Sequence, residues 1–123
     1  MKFEVLFYEK ENGERPVRTF LLSLDIKMQT KMISLFEILE DKGSELREPY
    51  SKHVEDGIFE LRCKVGNNIT RVMYFFYHNG KIILTNGFIK KTKKTPSSEI
   101  RLAKLRRKDY LKRKDADGNI KRI

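Results

Sequence analysis

The sequence predicts one α+β domain in which an N-terminal helical hairpin and a C-terminal helix pack on an antiparallel sheet of about four strands. Apolar residues recur at the helical period between residues 16 and 41, they follow strand-like patterns between 58 and 89, and turn dipeptides separate the segments. The 123 residues suffice for one domain. We expect the folded domain to span residues 1–113 and residues 114–123 to form a polar C-terminal tail.

The first part of the chain predicts a strand and two helices. Residues 2–9 alternate loosely and are rich in β-forming side chains. Pro16 suits the first position of a helix, and a second helix is predicted from about Lys27 to Asp41, where apolar residues form one stripe. Gly43 is a typical C-terminal stop. We expect the apolar stripes of both helices to form core.

The middle of the chain predicts a three-stranded antiparallel meander, after a loop around Glu48 and Pro49. The strands are expected at residues 58–65, 69–77 and 81–89, with Asn-rich turns between them. The first strand is expected to join this sheet at an edge. A last helix is predicted to be capped by Thr95 and to end near Lys112, before a frayed tail.

The net charge of +10 is concentrated in one segment, residues 90–114. That segment contains twelve lysines and arginines against Glu99 and Asp109, and the rest of the chain is balanced. Such a concentration predicts an anionic partner, either nucleic acid or an acidic protein. The alternative is a solvated basic helix without a partner.

Composition argues against several other classes of protein. A single cysteine, Cys63, cannot form an internal disulfide, which fits a reducing cytoplasm. With His53 and His78 it gives no metal-ligand spacing, so we expect neither metal nor cofactor. The N-terminus does not resemble a signal peptide, and no run approaches the roughly 20 apolar residues of a membrane span. We therefore expect a cytoplasmic protein without a membrane partner.

Two arginines on neighbouring strands are the main candidates for chemistry. Arg62 lies on an alternating strand, and Arg71 interrupts an otherwise apolar one. A shielded arginine requires an anion. That anion is either a substrate phosphate, which a guanidinium holds through two oxygens, or a protein carboxylate such as Glu60 in a structural ion pair.

A lysine cluster follows the last strand and extends the candidate site. Lys90, Lys91, Lys93 and Lys94 are expected to contact phosphates without reading base sequence, and Arg101 and Lys104 are predicted to add RNA contacts. The alternative is a solvated basic turn.

Proton transfer has only weak candidates in this sequence. Tyr74 is able to stack on a base or pass a proton, but strand tyrosines are more often core. Histidine is a common general base near neutral pH, which makes His53 a candidate, although a lone loop histidine is more often incidental. Lys93 is a further candidate.

Four sequence elements, in order, resemble the RelE superfamily, and most closely its HigB-type branch with phage-derived relatives. They are DGIFELR at 56–62, TRVMY at 70–74, NGFIKKTKKTPSSEI at 86–100, and Ala103 with Tyr110. The resemblance covers about residues 56–112, and the earlier elements agree in layout. It implies a compact sheet with a helical hairpin on one side and a cationic cleft on the other.

The resemblance implies the toxin of a type II toxin–antitoxin system, a ribosome-dependent mRNA endoribonuclease. Such enzymes activate the ribose 2′-hydroxyl so that it attacks the adjacent phosphate, and they do so without a metal. By position, Arg71 and Arg62 match the family's cleft arginines, and Lys90 and Lys91 match its basic pair. The implied partners are the ribosome, mRNA and an acidic HigA-like antitoxin of the helix-turn-helix type.

The chain departs from the family pattern at two places. Glu60 stands where some members carry lysine, and Tyr110 is the one candidate for a C-terminal catalytic tyrosine or histidine. The general acid and base therefore stay unassigned. Two other functions are also open: a ParE-like toxin acting on DNA gyrase, and a non-catalytic module that binds RNA or an acidic protein. Under the leading hypothesis, Arg71→Ala is expected to give a folded protein that no longer stops growth.

Overall fold

The computed structural model describes residues 2–90 and 93–122, with side chains through Ala116. Strand β1 is followed by two helices and a short 3-10 turn, then by four strands and a long C-terminal helix. The elements are β1 Glu4–Phe7, α1 Pro16–Ser23, α2 Ile26–Lys42, the turn Gly43–Glu45, β2 Ser51–Glu55, β3 Ile58–Val65, β4 Asn68–Tyr77, β5 Lys81–Ile89 and α3 Ser97–Arg122.

The five strands form one sheet in the order β1-β5-β4-β3-β2. Strands β2 to β5 are antiparallel neighbours, and β1 lies at the edge, parallel to β5. The predicted α+β class, the helical hairpin, the meander and the edge position of β1 are confirmed. Gly43, with a φ of 54°, ends α2 as predicted.

Two expectations about the elements are wrong. Residues 51–55 form an edge strand rather than a loop, so the sheet has five strands. The polar pattern of this segment hid it, because only Ser51 is buried there. Helix α3 does not end near Lys112 but continues to Arg122. Arg113 pairs with Asp109 one turn earlier on the same helix and donates to the Glu9 carbonyl oxygen, which ties this part of α3 to the segment after β1.

The sheet has two different faces. On the hairpin face, the core formed with α1 and α2 includes Leu61, Val72 and Ile82. On the other face, called here the α3 face, a second core contains Ile58, Met73, Phe75, Ile83, Tyr8 and Ala103. Next to Met73 on this face lies Glu60, its ladder partner on β3, and the following ladder pair on the same face is Arg62 with Arg71. These charged side chains form the site described below.

Helix α1 packs closely on β5 at Gly87. A Cβ atom there would overlap the ring of Phe20. We expect Gly87→Ala to destabilise the fold by about 1–3 kcal/mol, the usual cost of overpacking. Urea denaturation measures this loss, and Phe20→Leu in the same chain should recover part of it. A Gly87→Ala protein with wild-type stability would contradict the packing described.

Candidate anion-binding site

A fully buried carboxylate, that of Glu60, lies at the centre of the charged half of the α3 face. Arg71 forms an ion pair with it through Nη1, and Arg62 Nε lies 3.3 Å from Glu60 Oε1. Arg62 and Arg71 are direct partners in the β3–β4 ladder, so their side chains leave the same face. The structure therefore contains the ion pair between Arg71 and Glu60, which is one of the two predicted alternatives for Arg71.

Arg71 is 5% exposed and incompletely satisfied. Its Nη1 contacts Glu60 without hydrogen-bond geometry, and its Nε has no hydrogen-bond partner among the described residues. Burial lowers the pKa of the Arg71 guanidinium, although arginine keeps its charge in proteins. A buried cation with a spare donor favours an additional anion nearby.

Lys90 continues the line of β5 beside these arginines. Its backbone N–H donates to the Ile69 carbonyl oxygen at 2.8 Å, and its ammonium donates to the Lys93 carbonyl oxygen. Burial lowers the pKa of the Lys90 ammonium to about 8, and the positive charges of Arg71, Arg62 and Lys52 act in the same direction. Lys90 therefore loses its proton far more easily than an ordinary lysine.

Four side chains are grouped here as the cationic cluster: Lys52, Arg62, Arg71 and Lys90. Lys52 is the ladder partner of Glu60 on β2. The neighbouring carboxylates are Glu60 and Glu48, whose Oε1 lies 3.8 Å from Arg62 Nη1. Positive charge therefore exceeds negative charge at the cluster, which suits it to bind a phosphate.

Thr95 connects the segment after β5 to the cationic cluster. Its hydroxyl donates to Glu60 Oε2, whereas the sequence predicted that Thr95 caps α3. The carboxylate that holds both arginines thus also fixes the end of the segment after β5. The sequence pattern does not single out Lys52 or Thr95 as site residues, and it indicates Glu60 only as a salt-bridge partner. The alternation that places Glu60 and Arg62 on one face was the available signal.

The structure does not bring Tyr74 and His53 into the cationic cluster. Both lie on the hairpin face, where Tyr74 stacks on Phe59 at 5.4 Å between ring centroids and shares a hydrogen bond with Ser51. Burial raises the pKa of the Tyr74 hydroxyl. His53 packs against Phe59 at 5.0 Å, and its Nε2 accepts a hydrogen bond from the Gly57 N–H. The sheet separates both side chains from Arg71.

The other predicted residues are distributed around the cluster and α3. Lys93, Lys94 and Arg101 are exposed, and Lys104 forms an ion pair with Glu55. Lys91 lies outside the described residues. The Tyr110 ring packs on Phe75 and Tyr77 beneath α3, in the core rather than in the cluster.

Part of the basic segment holds α3 on the sheet. Arg107 pairs with Asp56 at 3.0 Å, and Arg106 donates to the Thr85 carbonyl oxygen at 2.8 Å. These cations are engaged within the chain, so the charge of residues 90–114 has a structural role as well as any role in binding.

Residues 19–108 match the sequence pattern of the family described as Phage derived protein Gp49-like (DUF891). The chain belongs to the Gp49-like family. This family is part of the RelE/HigB-type toxin superfamily and is associated with toxins of toxin–antitoxin systems. No curated protein matches the chain.

The part of the chain that matches the Gp49-like family contains the whole cationic cluster. The family's link to toxin–antitoxin systems also points to an antitoxin partner. Among the described residues, the helices lack the combination of length and apolar character that a membrane crossing requires.

Proposed function

We propose that this Gp49-like protein is a HigB-type toxin that cuts mRNA on the translating ribosome. The cationic cluster carries the proposal, because it gathers four basic side chains around one buried carboxylate and includes a lysine whose pKa is about 8. The relation of the family to RelE-type ribonucleases supports the same activity.

The proposed reaction needs no metal. The 2′-hydroxyl oxygen attacks the adjacent phosphorus, so a P–O2′ bond forms while the P–O5′ bond breaks. One proton leaves O2′ for a base and another reaches O5′. The products are a 2′,3′-cyclic phosphate and a 5′-hydroxyl end. Negative charge grows on the non-bridging phosphate oxygens, where guanidinium groups stabilise it most.

The structure suggests a division of roles within the cluster. Arg62, whose side chain is 22% exposed, is the arginine more accessible to a phosphate. Arg71 is buried on Glu60 and acts mainly as a positioning residue for that carboxylate and for Arg62. Lys90 is proposed to donate the proton to O5′, because a pKa of about 8 keeps it mostly protonated at neutral pH yet ready to release the proton.

Lys90 gives a pH-dependence prediction. Its lowered pKa means that the ammonium is charged below about pH 8 and neutral above it, so the cleavage rate should fall as pH rises through about 8. Lys90→Arg distinguishes a proton donor from a positive charge that only stabilises the transition state, because arginine keeps its charge across this pH range. If Lys90 donates a proton, the arginine variant is slow at every pH. A wild-type cleavage rate that is unchanged up to pH 10 would contradict both the proton-donor role and the charge-stabilising role of Lys90.

Induced expression with mapping of transcript 5′ ends tests the proposed function. We expect new ends with a 5′-hydroxyl inside coding regions of translated messages. DNA breaks with intact transcripts would favour the ParE-like action on gyrase. Intact transcripts that are bound to the protein, with a steep loss of binding in salt, would favour a non-catalytic RNA-binding module.

The proposed partner is an acidic HigA-like antitoxin. The net charge of +10 favours such a partner, because opposite charges speed association and select against wrong partners. A helix-turn-helix domain in that antitoxin, and binding of the toxin to the ribosome, belong to the same proposal. Purification of the protein with the product of a neighbouring gene tests it.

A further inference from the structure

Tyr50 lies immediately before β2, next to the cationic cluster. Its carbonyl oxygen accepts a hydrogen bond from the Arg62 N–H at 2.8 Å, so it continues the ladder between β2 and β3 by one pair. Residues that are opposite each other in an antiparallel ladder place their side chains on the same face of the sheet. Tyr50 is therefore the neighbour of Arg62 across the ladder.

Strand alternation shows which face Tyr50 occupies. The hydroxyl of Ser51 shares a hydrogen bond with Tyr74 on the hairpin face. The residues on either side of Ser51 therefore lie on the opposite face, which is the α3 face. The ladder agrees, because Lys52 pairs with Glu60, the carboxylate at the centre of the cluster. Tyr50 thus shares a face with the cationic cluster.

The ring of Tyr50 is open to solvent. Among the aromatic residues that the structure describes, Tyr50 alone is exposed, with 50% of its surface accessible. Within the described part of the chain its ring stacks on no other ring, whereas the ring of Tyr74 stacks on Phe59. A large ring that is left in water gains free energy when a ligand covers it.

The spacing between Tyr50 and Arg62 suits one nucleotide. Directly opposite side chains in an antiparallel ladder have Cβ atoms about 4.5–5.5 Å apart. A phosphate held by the Arg62 guanidinium therefore has its attached nucleoside within reach of the Tyr50 ring. Aromatic side chains beside a cationic groove are the usual platforms on which single-stranded nucleic acid stacks. The carboxylates of an acidic protein would satisfy the cations but offer no planar ring to cover Tyr50.

We propose that Tyr50 is the stacking platform for the base next to the phosphate that Arg62 holds. This inference rests on the proposed function, because it adds a nucleobase subsite to the phosphate site of the cationic cluster. Stacking uses the face of the base, which all bases have, so Tyr50 should add affinity without strong sequence preference. It uses the ring of tyrosine and not the hydroxyl, so phenylalanine should serve equally well.

A fluorescence titration tests for a base on this ring. The full chain contains no tryptophan, so Tyr50→Trp introduces a single reporter at the proposed platform. The probe is hexaadenylate with 2′-O-methyl riboses, which lacks the attacking 2′-hydroxyl. We expect saturable quenching of the tryptophan fluorescence at low salt. Leu22→Trp, at an exposed position on α1, is the matched control and should not be quenched. Inorganic polyphosphate, which has charge but no base, should not quench the Tyr50→Trp protein.

Substitutions and an abasic probe separate stacking from charge. Tyr50→Ala should weaken binding of the hexaadenylate about tenfold, and Tyr50→Phe should bind as the wild type does. An abasic hexamer with the same phosphates should bind equally to the wild type and to Tyr50→Ala, while Arg62→Ala should weaken the binding of both probes. The inference is overturned if Tyr50→Trp is not quenched, if polyphosphate quenches it as strongly, or if Tyr50→Ala weakens the abasic hexamer as much as the hexaadenylate.

Cleavage of mRNA on translating ribosomes distinguishes a failure of this inference from a failure of the proposed function. The rate should fall about tenfold in Tyr50→Ala and return in Tyr50→Phe. Quenching of Tyr50→Trp by the probe, with no cleavage by the wild type, would contradict the proposed function and leave the subsite in place. Wild-type cleavage by Tyr50→Ala, with cleavage lost in Arg62→Ala, would contradict the stacking role alone.

Discussion

Arg71→Ala is expected to lower the free energy of unfolding by about 3–5 kcal/mol, because it deprives a fully buried carboxylate, that of Glu60, of its closest cation. Arg62 and Thr95 still contact Glu60, which places the loss toward the lower end. Chemical denaturation of the purified variant measures the effect. A variant as stable as the wild type would show that the ion pair contributes little.

The double variant Glu60→Met/Arg71→Met is the matched control for that result. Removal of both charges leaves neither one buried alone, so its stability should exceed that of Arg71→Ala. This changes how Arg71→Ala is to be read in a growth assay. The sequence predicts a folded, non-toxic variant, but because Arg71 is buried on Glu60, a loss of toxicity can also report unfolding.

The second large effect is expected from Arg62→Ala. Loss of this guanidinium should reduce the rate of RNA cleavage by about 10²–10³, the usual cost of removing one group that stabilises transition-state charge. Stability should change much less, because the side chain is 22% exposed and Glu60 retains Arg71 and Thr95. Single-turnover cleavage together with urea denaturation separates the two effects.

Arg18→Ala is the control for this variant. It removes the same type of side chain from an exposed position on α1, outside the cationic cluster. It should leave both cleavage and stability near wild type. If Arg62→Ala cleaves RNA as fast as Arg18→Ala does, the phosphate is not bound where we propose.

Sequence patterns predicted the sheet well where one physical cause determined it. Strand β3 was placed to the residue, because strict alternation separates its apolar residues from Glu60, Arg62 and Lys64. Strand β2 was missed because its pairing with β3 is determined by tertiary structure, and its own side chains are mostly polar. The C-terminal part of α3 was missed because turn-forming residues outweighed the contacts of Arg113.

The candidate site was predictable only in part. The two arginines were found because a cation among apolar strand residues is conspicuous. A core position for Tyr74 was the more common outcome for a strand tyrosine, but the face was not predictable, since β4 is largely apolar on both faces and its pattern does not tell them apart. The roles of Lys52 and Thr95 depend on contacts between distant segments. The lowered pKa of Lys90 likewise depends on neighbours from three strands.

The most direct test of the central claim is cleavage of a defined mRNA in a reconstituted translation reaction, with 5′ and 3′ ends mapped on the products. We predict that the wild-type protein produces 5′-hydroxyl and 2′,3′-cyclic phosphate ends only when ribosomes translate the message, and that Arg62→Ala, confirmed as folded, does not. Intact mRNA with the wild-type protein, or equal cleavage by Arg62→Ala, would contradict it.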